Sequence, residues 1–386
     1  MDRLEAPHHD LARGAPRILH VDCDQFFVQC AYLTWPERLA DVELLAVGGH
    51  PEKRGVVASC SYAARQHGVR SAMPMREALR LCPALVAAPV PWGTVRRKSR
   101  HVFRVLARFA EAMERVSVDE GYLLVPESGE PPEELARRIQ RAVAEETGIT
   151  VSIGGATVRF LAKMATSHAK PAGVFIVPAG QEQAFLERHR LEEIPGIGPA
   201  FRAALARRGV TSISGARRIG LDLLTLWLGP ARARFLWERV RTIDRSRIGA
   251  EEEIRKSISS ETTFESDRWE RDALETALDE LVHDVGATLR KHRLRTRTVS
   301  VKLRSSDFQD RQKSRTLPQL VQTDRVIGGT ARELLGELRH LLAGPVRLLG
   351  VSLSSLEGAG AVEQLAFREI IPPLEPEEEE ERSPGS

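Results

Sequence analysis

Apolar positions along the chain recur with two periods, and the changes from one to the other outline the elements. "RILHVD" (17–22) is an apolar run with a histidine in it and predicts a strand; residues 28–34 follow as a short helix closed by "WPE". "LLAVGG" (44–49) and "GVVASCSY" (55–62) predict two strands joined by a polar turn around "HPEKR". "YAARQHG" reads as a helical turn stopped at Gly68, and "MPMREALRLCP" as a helix that starts with an early proline and ends before Pro83.

Val102, Val105, Leu106, Phe109 and Met113 keep helical spacing, which predicts one long helix over 94–114. "RVSV" and "GYLLV" then predict short strands around the acidic pair "DE". The helix "PEELARRIQRAVAEETG", the strand "TVSIGGA", the helix "VRFLAKMATSHA" and the strand "GVFIV" complete a first region. Strands alternating with helices in this way predict an α/β sheet layered with helices. Residues 181–248 read almost wholly helical, with "IPGIGPAFRAALARRGV" as the clearest unit, and "GAEEEIRKSIS" reads as a linker. Residues 258–357 return to a mixed, α+β pattern: "SISSETTF", a long amphipathic helix through "ALETALDELVHDVGATLRKH", the alternating "RTVSVKLR", a helix in 328–342 and "VRLLGVSLSSL". No internal repeat is visible.

Composition narrows the class. The 386 residues are 42% hydrophobic and 28% charged, ordinary globular values that suggest two to four domains. No apolar run approaches the ~20 residues of a membrane span, so no membrane is expected and the chain is expected in the cytoplasm. Residues 1–16 lack the apolar core of a signal peptide and read as a loose arm. Cysteines at 23, 30, 60 and 82 form no CxxC pair, which fits reduced thiols. Net charge is +3, but the tail "EPEEEEER" (375–382) carries −5, leaving +8 on the rest. Residues 290–315 hold ten Lys or Arg against Asp307 and Asp310, an excess that suggests a polyanionic partner.

Three carboxylates supply candidate chemistry. Asp22 ends the first strand, and Asp119 and Glu120 sit at a hairpin tip. Brought together they would repel and titrate upward unless a cation lay between them, and an all-oxygen site suits Mg²⁺. Two such ions ~3.5–4 Å apart are a standard device for in-line phosphoryl transfer. An acidic pair at a turn is more often merely solvated, and spacing alone leaves open whether Asp22 meets Asp119.

Five motifs in order, "ILHVDCDQFF", "GVVASCSYAARQHGVRSAMPMREALRLCP", "SVDEGYL", "FLAKMATSHAKPAG" and "IPGIGP", make residues 17–357 resemble the Y-family translesion DNA polymerases of the bacterial DNA polymerase IV type. The resemblance implies a right-hand-like architecture: palm at 17–25 and 89–180, fingers at 26–88, and a helical thumb at 181–247 with a helix-hairpin-helix. A linker at 248–257, a little finger at 258–357 and a disordered tail at 358–386 would follow. It implies that Asp22, Asp119, Glu120 and the backbone carbonyl of Cys23 bind two Mg²⁺ ions, with Mn²⁺ able to substitute. Asp24 fits the same pattern but is read as structural, on the expectation that strand alternation turns it away. Phe27 would lie against the incoming sugar and exclude a 2′-hydroxyl, with Phe26 in the core. Tyr62 and Arg65, three apart on one helical face, would hold the triphosphate with Lys163, and Ser59 would lie beside them. The small "ASCS" (58–61) would cover the nascent base pair.

Gly196 and Gly198 of the hairpin, and Arg295, Arg297, Lys302 and Arg304 on one face of a strand, would contact the DNA backbone. Within the tail, Gln364, Leu365 and Phe367 of "EQLAF" resemble a sliding-clamp peptide, one apolar residue short of the usual pattern. The implied protein is a monomeric, low-fidelity polymerase without proofreading, acting on primer-template DNA and dNTPs. Ser61, Gly121, Leu124 and "TSHAKPAG" depart from the common family pattern, bearing on rate and lesion preference. Two rivals are a non-catalytic accessory relative, which would be expected to lack the carboxylates, and a two-metal nuclease with a helix-hairpin-helix.

Overall fold

The computed structural model describes residues 17–127, 129–249, 255–342 and 344–358. The N-terminal arm, Gln364, Leu365, Phe367 and the acidic run fall outside the described residues. The chain divides into two units, residues 1–252 and 253–386. Among the described residues no helix is long and apolar enough to cross a membrane.

The first unit opens with β1 (Ile18–Cys23), α1 (Phe26–Thr34), α2 (Pro36–Leu39), β2 (Leu45–Gly48), β3 (Val57–Cys60) and α3 (Tyr62–Gln66). It continues with α4 (Met75–Leu81), β4 (Val86–Ala88), α5 (Trp92–Leu106), β5 (Ala112–Arg115) and β6 (Glu120–Leu124). Then come α6 (Pro132–Thr147), β7 (Val151–Ala156), α7 (Arg159–Ala169) and β8 (Val174–Ile176). One sheet has the order β5-β6-β1-β7-β8 and a smaller one the order β3-β2-β4. β1 is central and antiparallel to both neighbours, so both of its edges are hydrogen-bonded. Leu19, Val21 and Cys23 point to a core shared with Val102 and Leu106 of α5 and Ile139 and Val143 of α6. His20 and Asp22, at the alternate positions, face α7.

That close helix has a physical cause at Gly154. A Cβ there would lie 2.2 Å from the Thr166 nitrogen and 2.3 Å from the Ala162 carbonyl oxygen, so only glycine lets α7 settle on β7. α8 (Glu182–Glu187), α9 (Pro199–Ala206), α10 (Ile213–Arg217), α11 (Leu221–Leu228) and α12 (Pro230–Arg239) then pack on one core with Phe160 and Leu161 of α7.

The expected helix over 94–114 is corrected. α5 stops at Leu106, a single turn covers Ala107–Phe109, and Met113 lies in β5 opposite Leu123 of β6. Phe109 and Met113 pack against the same core, so the apolar spacing continues although the element changes. The expected strand at 115–118 is instead the end of β5 and the turn into β6.

The second unit runs β9 (Ser257–Arg268), α13 (Arg271–Lys291), β10 (Leu294–Ser305), β11 (Asp310–Val321), α14 (Asp324–Arg339) and β12 (Val346–Gly358). Its antiparallel sheet has the order β11-β10-β12-β9, and both helices share its core with Val299, Val301 and Leu303. α14 starts at Asp324, four residues before the expected helix. β11 has no counterpart in the sequence reading: it is an edge strand, mostly exposed and polar, and carries Pro318. An edge tolerates proline because no ladder bond is needed on the outer side.

Candidate active site

The antiparallel register of β1 and β6 sets Asp22 opposite Glu120 and His20 opposite Tyr122, all on the face toward α7. On the other side Asp22 lies opposite Ser152 of β7. Asp119 is drawn in by backbone: the Cys23 N–H donates to its carbonyl at 2.9 Å. Ser117 shapes the tip, its Oγ accepting from the Asp119 and Glu120 N–H groups at 3.1 Å each and donating to the Asp119 carboxylate. The meeting of Asp22 with the distant pair, left open by spacing, is therefore a matter of strand register.

Two lysines compensate the charge. Lys163 Nζ is 2.5 Å from Glu120 Oε2, and Lys170 Nζ is 2.6 Å from Asp22 Oδ1. Burial pushes the Asp22 carboxyl up, with Asp119 adding to it and Lys170 opposing. Glu120 is held down to about 2, first by His20 and, against burial, by Lys163. His20 is fully buried: Nδ1 is 2.9 Å from Thr166 Oγ1, and Nε2 reaches within 3.3 Å of Glu120 Oε2 without hydrogen-bond geometry. Burial lowers the His20 pKa, which weakens its hold on the carboxylate; Glu120 nonetheless stays ionised because Lys163 pairs with it independently.

The donors fit a hard cation. Among the described residues no three His, Cys, Asp or Glu side chains are gathered to hold a metal ion, because Lys170, Ser117 and Lys163 each engage one carboxylate. The backbones are already adjacent, so rotation of the side chains would bring together carboxylate oxygens, the ligand type Mg²⁺ takes. The Cys23 thiol is buried and pushed well above its ordinary value, so its sulfur is no ready donor for a hard cation.

Asp24 is buried, accepting from Tyr62 Oη at 3.0 Å, Ser152 Oγ at 2.7 Å and the Ala172 N–H at 3.0 Å. Positions 22 and 24 share strand parity, so alternation is not what separates them, and that expectation is corrected. β1 ends at Cys23, Gln25 turns left-handed with φ 38°, and the Asp24 carboxylate is taken by three donors. The Tyr62 hydroxyl is thus already committed, and burial beside Asp24 raises its pKa. Arg65 lies over the Tyr62 ring, 5.6 Å from its centroid, and Ser59 is buried on β3. Phe26 is core and Phe27 is half-buried, in a T-shaped contact with Trp92 at 5.8 Å between centroids. Both belong to α1, so ~100° of helical rotation divides the rings, not the expected extended segment.

Lys170 is the residue the sequence reading missed. It lies seven positions, two helical turns, beyond Lys163, and that spacing was the available signal.

Gly196 has φ 98°, and a Cβ there would meet the Phe235 ring at 2.6 Å; around Gly198, which caps α9, there is open space. On β10, Lys302 lies 3.4 Å from Glu261, Arg304 binds Asp310 through two nitrogens, and Arg297 is 3.9 Å from Glu357. Leu294 and Val299 both pack on the helix side although five residues apart. At Thr296–Thr298 the pairing of β10 with β11 is irregular, while its pairing with β12 runs on unshifted past Ser355, which has φ 53°.

The sequence matches the impB/mucB/samB family over residues 21–167 and that family's C-terminal domain over residues 255–367. The DNA polymerase IV of Methanoculleus marisnigri is 39% identical over 366 residues, spanning 94% of this chain and 100% of the relative. The DNA polymerase IV of Caulobacter vibrioides is 34% identical over 356 residues, 91% of this chain and 86% of the relative. Among solved structures, a Y-family DNA polymerase chimera of Dbh and Dpo4 superposes with a TM-score of 0.80 at 25% identity, over 88% of this chain and 99% of that one.

Proposed function

The chain belongs to the impB/mucB/samB family and is a DNA-directed DNA polymerase of the Y family, and we propose that it copies damaged templates at low fidelity, adding dNMP units to a primer 3′-hydroxyl without proofreading. One observation carries the chemistry: Asp22 and Glu120 are cross-strand partners, with Asp119 tied to the next residue, Cys23. These three carboxylates and the Cys23 carbonyl would hold two Mg²⁺ ions, with Mn²⁺ able to substitute. The chemistry such ions would supply is a lowered pKa of the primer hydroxyl and neutralisation of the triphosphate and departing pyrophosphate.

The chain's own residues do the positioning. Lys163 and Lys170, which pair with Glu120 and Asp22, would hold the triphosphate together with Arg65 and Ser59 once those carboxylates served a metal. Tyr62 remains on Asp24 and keeps Arg65 aligned over its ring. In this reading the five-stranded sheet is the palm, the three-stranded sheet lies in the fingers, residues 181–247 are the thumb and the second unit is the little finger. The Gly196–Gly198 hairpin and the cations of β10 hold the primer-template backbone, and Gln364, Leu365 and Phe367 bind a sliding clamp. A cytoplasmic monomer fits this work. The accessory-protein reading is not favoured, because all three carboxylates are present.

Phe27 is the sugar filter. Phe27→Val should raise ribonucleotide insertion relative to deoxyribonucleotide insertion about 100-fold, the scale of a removed steric rejection. Single-nucleotide insertion with matched rNTP and dNTP measures it, and an unchanged ratio removes the assignment. The broader test is a primed template with dNTPs and Mg²⁺. Lengthening of the primer supports the reading; shortening, or no change, overturns it.

A further inference from the structure

Helix α5 carries a charge pattern that the polymerase chemistry does not use. Over Trp92–Leu106 it holds Arg96, Arg97, Lys98, Arg100 and Arg104 and no Asp or Glu. Its buried side is Val95, Val102, Phe103, Val105 and Leu106, so the arginines are forced outward. Arg96, Arg97, Arg100 and Arg104 are exposed and fall within about 100° of helical arc. Arg97 donates to Thr94 Oγ1, and Lys98 to the Thr147 carbonyl. Among the described residues Arg96, Arg100 and Arg104 have no carboxylate partner, whereas on neighbouring α6 Arg137 and Arg138 pair with Glu133 and Glu130. Successive arginines four apart rise ~6 Å along the axis, comparable to the phosphate step of an extended strand.

A second observation lies at the start of the helix. Trp92 is 53% exposed, a large apolar ring left open to solvent, and it makes a T-shaped contact with Phe27. An aromatic platform followed by unpaired cations is the pattern that holds single-stranded nucleic acid, through stacking and phosphate contacts.

We propose that the outer face of α5 is a second DNA-binding surface, which takes the unpaired template strand ahead of the primer: Trp92 stacks a base and Arg96, Arg100 and Arg104 hold successive phosphates. The choice of strand rests on the reading of Phe27 as lying against the incoming sugar, since the template becomes single-stranded at that point. Duplex recognition by the hairpin and by β10 is a separate matter.

The test compares the full chain on two primer-templates that differ only in having a short or a long template overhang. Wild type should bind the long overhang more tightly and with a steeper salt dependence. The triple variant Arg96→Gln, Arg100→Gln, Arg104→Gln should lose that gain, its log–log salt slope falling by about two, as three lost phosphate contacts imply for a single strand. Trp92→Ala should weaken long-overhang binding about tenfold with the slope retained, because stacking carries no counterions. Insertion on the short overhang should be unchanged in the arginine variant, and its thermal unfolding should match wild type. If the triple variant is poorly folded, Arg100→Gln alone should still lower the slope by about 0.7. Binding that ignores overhang length, or an unaltered slope in the folded variants, overturns the proposal. The Phe27→Val sugar ratio reports separately on the sugar filter, so failure of one reading is distinguishable from failure of the other.

Discussion

Asp119→Ala should lower primer extension by about three orders of magnitude or more, while primer-template binding stays within a few fold of wild type. The size follows from the reaction: stabilising charge on a transferring phosphoryl group through a metal supplies several kcal/mol, and each ~1.4 kcal/mol is tenfold in rate. Asp119 is the cleanest of the three acids to remove. Its side chain is only half-buried and its partner Ser117 is exposed, so the deletion leaves no buried partner unsatisfied. Glu120→Ala should lose as much activity but also some stability, because it leaves Lys163 without its 2.5 Å partner beside the buried His20. Glu120→Gln keeps the shape and separates the two effects. The checks are single-turnover insertion at saturating dNTP, equilibrium DNA binding and thermal unfolding. Asp119→Ala retaining activity within tenfold of wild type would remove the metal-binding role.

What the sequence disclosed, and what it hid, follows from the range of each interaction. β1, α7 and α13 were legible because a strand or helix that buries one face writes its period locally. The helix assigned through residue 114 failed for the same reason: Phe109 and Met113 serve one core from two different elements, and periodicity reports the core rather than the backbone. β11 was invisible because an exposed edge strand has little to bury and can even carry Pro318.

The site shows the same division. The three acids were recognisable as residues, but their meeting depends on the β1–β6 register, a pairing across about a hundred positions that no local pattern encodes. Lys170 and the Asp24–Tyr62 bond went unseen because both are contacts between elements, made only once α7 lies on the sheet. On β10 the four cations Arg295, Arg297, Lys302 and Arg304 were expected on one face, but positions 295 and 297 differ in parity from 302 and 304, so alternation alone does not give that face.

The position of α7 is itself open to test, and it leads to the largest expected stability effect. Gly154→Val should destabilise the first unit by at least ~3 kcal/mol, because the added carbons overlap backbone, not a side chain that can swing away. Even the Cβ would sit 2.2 Å from the Thr166 nitrogen and 2.6 Å from its Oγ1, so the helix must lift from β7. Lifting it would break the Thr166 contact to His20 and withdraw Lys163 and Lys170 from Glu120 and Asp22. Activity should therefore fall at temperatures where the variant is still folded. Gly68→Ala is the comparison: it has φ 86° but nothing within 4 Å of the new carbon, so only backbone strain of about 1 kcal/mol is expected. Thermal unfolding and extension assays on the two variants measure the difference. Equal melting temperatures would mean that α7 does not rest on Gly154, and the lysines would then need another route to the carboxylates.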